Sequence, residues 1–84
     1  MRVTGLVQGV FFRAGLARVA SDLRVKGWAR NLPDGSVEAF LQGDEAVVMR
    51  VVDWARRGPP RARVDSLELM EEEPQRIRGF RIIG

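Results

Sequence analysis

Within nine residues, Gly5-Leu6-Val7-Gln8-Gly9-Val10-Phe11-Phe12-Arg13, this chain passes from a short apolar strand through a glycine turn into a helix. From Phe12 the apolar residues recur at Leu16, Val19, Ala20 and Leu23, one face of an amphipathic helix that ends near Arg24. Val3 to Val7 precedes it as a first strand, and Val25 to Asn31 follows as a second. Leu32-Pro33-Asp34-Gly35 has proline preset at the second position of a turn and glycine at its end. It leads to Val37, Ala39 and Leu41, alternating as the third strand of a hairpin. Asp44 is a candidate N-cap for a second helix with Val48, Val51, Val52 and Ala55 facing inward, stopped by Gly58-Pro59-Pro60. Val64 to Met70 reads as another strand, and Phe80 to Ile83 as a short final one at a sheet edge.

One-sided helices and an alternating strand require two layers, with both helices on one face of a mainly antiparallel sheet. The order predicts an α+β, two-layer α/β sandwich of split β-α-β type, βαββαβ with a short extra C-terminal edge strand. Strands one and two are then parallel, joined by a right-handed crossover, with strand three between them. Their C-terminal ends lie two strand spacings apart, about 10 Å, so the Gly9–Arg13 loop and Asn31 can face one small ligand.

Arg13 is an odd residue for the first turn of a helix. The helix N-terminus carries roughly half a positive charge and mildly repels a cation unless an anion lies between them. Gly9 lets successive N–H groups converge, and with the unpaired amides of the first turn they can cradle a phosphate that the Arg13 guanidinium closes over. The segment has neither Gly-Lys-Ser/Thr nor G-x-G-x-x-G, so it is not a standard nucleotide loop. Asn31 offers an acceptor and a donor, enough to orient a water but not to deprotonate it. The chain has no histidine and no cysteine, and no carboxylate of either segment is placed on the cradle; Asp34 belongs to the turn. A site without a general acid suits a leaving group that needs no proton. An acyl phosphate expels a carboxylate, whose conjugate acid has a pKa of about 4.

The segments Gly5–Arg13 and Gly27-Trp28-Ala29-Arg30-Asn31-Leu32-Pro33-Asp34-Gly35-Ser36-Val37, with Gly43 six residues on, resemble the paired signatures of the acylphosphatase family. The first signature reads Gly, any residue, Val-Gln-Gly-Val, any residue, an aromatic, then Arg. The resemblance implies a ferredoxin-like fold and metal-free, cofactor-free hydrolysis of the carboxyl-phosphate bond by in-line attack of water at phosphorus. It implies Arg13 as phosphate ligand, Asn31 as water-orienting residue, and Gln8, Gly9, Val10, Phe11, Phe12 and Arg13 as the phosphate-binding loop. Acetyl phosphate, carbamoyl phosphate and 1,3-bisphosphoglycerate are all compatible, with inorganic phosphate as product.

Structural readings stand beside these. Asn31 precedes a turn and is compatible with a purely turn-shaping role. Phe11, Phe12 and Trp28 read as core or loop packing in preference to substrate stacking, Gly27 as a close-packing position, and Gln8 either lines the cradle or braces the loop. The alternative function is a non-catalytic phosphate-sensing module, or an RNA- or protein-binding module on the same fold. An RNA surface needs aromatics on both central strands, and the first strand has none.

With 84 residues the chain is expected to be one domain, 1–84, with a modest core. Fourteen basic and eleven acidic residues favour an anionic partner weakly; the arginines are scattered from Arg2 to Arg81, which argues against nucleic acid as the partner. Glu71-Glu72-Glu73 reads as a solvated loop, not a metal site. No apolar run is long enough to span a membrane and no signal peptide is evident, so a cytoplasmic monomer without membrane association is expected.

Overall fold

The computed structural model describes residues 1–84. Its elements are β1 (Arg2–Leu6), α1 (Phe12–Asp22), β2 (Lys26–Asn31), β3 (Val37–Gln42), α2 (Glu45–Arg57), β4 (Arg63–Glu68) and β5 (Phe80–Ile82). The sheet order is β4-β1-β3-β2-β5. β3 lies antiparallel between β1 and β2, β4 pairs antiparallel with the outer side of β1, and β5 runs parallel to β2. This is the ferredoxin-like arrangement expected from the order of elements, with β5 as the extra edge strand.

The alternation in β3 buries Val37 and Ala39 on the helix-covered face, where they meet Val3 from β1 and Ala29 from β2. Phe12, Leu16 and Ala20 of α1 and Val51 and Ala55 of α2 close the core from above. Helix α1 lies over β2 and β5, and α2 over β4 and β3. The helices meet where the Phe12 and Trp54 rings approach, with centroids 5.6 Å apart.

Boundaries differ from expectation by a residue or two. α1 stops at Asp22 because Leu23 caps it and Arg24 turns to φ 58°. β4 starts a residue earlier and ends at Glu68, leaving Leu69 and Met70 exposed in the connection to β5. That connection does not simply run through solvent. Gln42 Nε2 donates to the Gln75 carbonyl (3.1 Å), the Gln75 amide donates to Gln42 Oε1 (2.8 Å), and Trp28 Nε1 donates to Gln75 Oε1 (3.3 Å). Trp28 also stacks on Phe40, which is 5% exposed although it faces away from the helices. Glu71, Glu72 and Glu73 are exposed as expected.

Gly27 is the tightest point of the sheet. A Cβ there would sit 1.7 Å from the carbonyl oxygen of Phe40 across the β2–β3 ladder, so no side chain fits at this register. The close-packing reading of Gly27 is thus the structural one.

Candidate active site

The two helices begin in opposite ways. Asp44 caps α2, its Oδ1 accepting from the amides of Ala46 (3.0 Å) and Val47 (3.3 Å), and Glu45 adds an acid to the first turn. Helix α1 has no such cap. Its N-cap is Phe11, whose side chain makes no capping bond, and its first turn holds no acid but does hold Arg13. The positive end of this dipole is therefore left open, with a cation added to it.

The loop that enters α1 owes its shape to two left-handed residues, Gly9 at φ 73° and Phe11 at φ 63°. Between and around them Val7, Val10 and Phe12 are buried and anchor the loop to the core. Alternating left-handed and ordinary backbone conformations turn consecutive N–H groups toward one side, the geometry of an anion-binding nest. None of the backbone bonds outside helices and strands, and no bond to a side chain, is donated by the amides of residues 8 to 13. Arg13 is half-buried and takes part in none of the three ion pairs, which join Arg2 to Asp34, Arg30 to Glu38 and Arg63 to Asp65.

Gln8 resolves to a brace. Its Nε2 donates to the carbonyl of Leu32 (2.8 Å) and to that of Ser36 (3.0 Å), tying the loop to the β2–β3 turn and leaving only its backbone amide for the cradle. Asn31, the last residue of β2, lies immediately before that turn. Its Oδ1 is buried and has no hydrogen-bond partner, which carries a penalty of about 1–3 kcal/mol unless a ligand or water reaches it. Asn31 and Arg13 line one cavity of about 400 Å³, together with Gly9 and Phe11 of the loop and Ile82 of β5. The residue before Asn31, Arg30, points to the other face of the sheet, paired with Glu38 and lying 5.4 Å over the Trp28 ring.

Asp34 shapes the turn. Its Oδ1 accepts from the Ser36 amide (2.9 Å) and hydroxyl (2.5 Å), and its Oδ2 meets Arg2 at 2.6 Å. Hydrogen bonds from the Ser36 hydroxyl and then the Ser36 amide, opposed by desolvation and helped by the Arg2 guanidinium, hold its carboxyl below the usual carboxylate range. It is an anion engaged by the turn and by Arg2, and it does not line the cavity.

Of the two neighbouring phenylalanines only Phe12 packs in the core; Phe11, expected there or packed in the loop, is 80% exposed. Ile82 was missed as a site residue because nothing local to it shows that β5 pairs parallel with β2, its backbone opposite Ala29. A larger cavity of about 520 Å³ lies against Phe40, Met49 and Met70. Its lining is largely apolar with the acidic residues Glu45, Glu71 and Glu72, and it contains no arginine or lysine side chain.

The sequence model of the family described as acylphosphatase matches residues 1–82. An acylphosphatase of Thermococcus kodakarensis is 49% identical over 84 residues, spanning 100% of this chain and 92% of that protein. One of Gloeobacter violaceus is 47% identical over 81 residues, spanning 96% of this chain and 87% of that protein. The crystal structure of acylphosphatase from Bacillus subtilis superposes with a TM-score of 0.94 at 28% identity, covering 99% of this chain and 93% of that one.

Proposed function

Since the chain belongs to the acylphosphatase family, we propose how its own residues perform the hydrolysis of an acyl phosphate to a carboxylate and inorganic phosphate. The amides of Gln8 to Arg13 and the Arg13 guanidinium hold the phosphoryl oxygens, and their attraction grows as charge builds on those oxygens in the transition state. Asn31 accepts a hydrogen from water and aims its oxygen at phosphorus, opposite the carboxylate. The new P–O bond forms to water, the old one breaks toward the carboxylate, and a phosphate oxygen takes the water proton. No step of this scheme asks for a general acid, a metal or a cofactor, and positioning and electrostatics supply the acceleration.

The observation that carries this reading is the buried, unpartnered Oδ1 of Asn31 in the same cavity as a cation with no carboxylate partner. All the groups come from one chain, which supports action as a monomeric domain over residues 1–84. Phe40 is buried, so the sheet lacks the exposed aromatic pair that RNA-binding sheets use; this supports a small-molecule substrate over nucleic acid. No helix is long and apolar enough to cross a membrane, and a cysteine-free chain suits the cytoplasm.

The kinetics of two variants test the assignment. Arg13→Ala should lose turnover and competitive inhibition by inorganic phosphate together, whereas Asn31→Ala should lower kcat by about 10² or more with a smaller change in phosphate affinity. A folded Arg13→Ala protein with near-normal kcat/KM would refute the cradle. Normal kcat with lost phosphate affinity in Asn31→Ala would make Asn31 a ligand residue instead.

A further inference from the structure

The cavity of about 520 Å³ is built at the opposite end of the sheet from the phosphoryl cradle. Gln42, which lines it, pairs with Lys26 at the start of β2, whereas Asn31 ends that strand, so the two regions lie about 16 Å apart. Its apolar lining comes from three elements: Leu41 of β3, Val48, Met49 and Val52 of α2, and Leu69 and Met70 of the β4–β5 connection. Met49, Leu69 and Met70 remain 39%, 49% and 80% exposed, so the fold does not cover this surface by itself. Methionine side chains on a concave surface adapt their shape to an apolar guest. The charged side chains here are all of one sign. Glu45, Glu71 and Glu72 line the cavity, and Glu71 and Glu72 continue into an adjoining hollow that adds Glu73 and contains no hydrophobic residue. None of these four carboxylates takes part in an ion pair, and no arginine or lysine lines either hollow, in a chain with 14 basic and 11 acidic residues. The one cation at the cavity is the Met1 amine, already donating to the Ala39 carbonyl at 2.9 Å.

We propose that the two hollows together bind an amphipathic organic cation, its apolar body between α2 and the β4–β5 connection and its charged head among Glu71, Glu72 and Glu73. The inference goes beyond the hydrolysis and does not depend on it. The volume of the apolar part lies within the range of small-molecule pockets, about 300–1,000 Å³. Charge decides the class of ligand. An anion would be repelled by the unpaired carboxylates, and a neutral apolar molecule would gain nothing from the acidic hollow beside the apolar one. A bare metal ion does not match either, because the carboxylates do not converge into a group that could hold one. A diffuse head such as an alkylated ammonium needs no convergent ligands. It gains from the summed negative potential of the three glutamates, while its chain displaces water from the leucine, valine and methionine side chains.

The test is an NMR titration of the ¹⁵N-labelled full chain with octyltrimethylammonium, and with 1-octanol and octyl sulfate as probes of the same chain length and different charge. The cation should shift the amides of Val48, Met49, Leu69 and Met70 saturably and bind about 10-fold or more tightly than octyl sulfate, with 1-octanol between them. Glu71→Gln/Glu72→Gln should weaken binding of the cation by about 3- to 10-fold at low salt, and the difference should shrink as salt is raised. Leu69→Arg sets a cation into the cavity and should abolish binding of the cation. All three substituted positions are exposed, so melting curves of both variants should match wild type. Equal affinity for octyl sulfate, or affinity for the cation unchanged in both variants, would overturn the proposal, as would shifts confined to other faces of the protein. Concentration-dependent dimerisation of wild type that Leu69→Arg abolishes would give this surface to a second copy of the chain and overturn it as well.

Discussion

Replacing Gln8 by methionine keeps the length of the side chain and removes the donor that holds the loop to the β2–β3 turn. Two hydrogen bonds are lost, at 2.8 and 3.0 Å, each worth about 0.5–1.5 kcal/mol net. Their acceptors are not orphaned: the Leu32 carbonyl still receives the Gly35 amide at 3.1 Å, and the Ser36 carbonyl the Leu32 amide at 2.9 Å. The loss of stability should therefore fall in the lower half of the summed range, about 1–2 kcal/mol. Function should suffer further, since the bonds connect the residue before Gly9 to the residue after Asn31. Letting the cradle and the water-orienting side chain drift apart should lower kcat by about 10-fold or more. Gln8→Glu adds a pH signature. An ionised carboxylate there faces two carbonyl oxygens, while the protonated acid can still donate to one of them, so the folded pKa is raised above the ordinary glutamate value of about 4.3. The variant's stability relative to wild type is then fully present below that value and lost as pH rises through the raised one. Urea unfolding of wild type and both variants at pH 4 and pH 7.5 measures this. Midpoints for both variants within about 0.5 kcal/mol of wild type at both pH values would refute the bracing role.

Gly27→Ala should cost about 3 kcal/mol or more, because its Cβ would sit 1.7 Å from a backbone oxygen of the neighbouring strand. Gly35→Ala, with open space around it but φ 93°, should cost only about 1–2 kcal/mol; urea midpoints in which Gly27→Ala is the milder change would contradict the packing described. Asp34 has its folded pKa depressed by the Ser36 hydroxyl and amide and by Arg2, so its contribution is present above the ordinary aspartate value and lost as pH falls through the lower folded one. Thermal melts from pH 2 to pH 6 should show Asp34→Asn losing less stability than wild type below about pH 4. Equal acid sensitivity would show that the turn does not depend on this charge.

Much of the molecule follows from local sequence because the forces involved act over a few residues. Asp44 caps the helix it precedes through amides two and three positions away, the inward faces of α1 and α2 repeat with the helical period, and Pro33 and Gly35 shape their own turn. The loop before α1 is legible for the same reason: glycine, two aromatics and an uncapped arginine within five residues describe an open helix N-terminus. Alternation and one-sidedness were also enough to call for two layers, and so to bring the ends of β1 and β2 together.

The contacts that complete the site act across long stretches of chain, and no local pattern encodes them. Whether Gln8 faced the cradle or the turn depended on where Leu32 and Ser36 lay, 24 and 28 residues away. Phe11 and Phe12 are the same residue type one step apart, and only the left-handed backbone at Phe11, with α1 seated on the sheet, sends one ring into solvent and the other into the core. Ile82 reaches the cavity because β5 pairs parallel with β2, a choice made by the return of the chain past Gln75 across Trp28 and Gln42. Local preferences select the elements of this protein; burial and hydrogen-bond satisfaction, which are settled only when distant segments meet, decide which side chains the site receives.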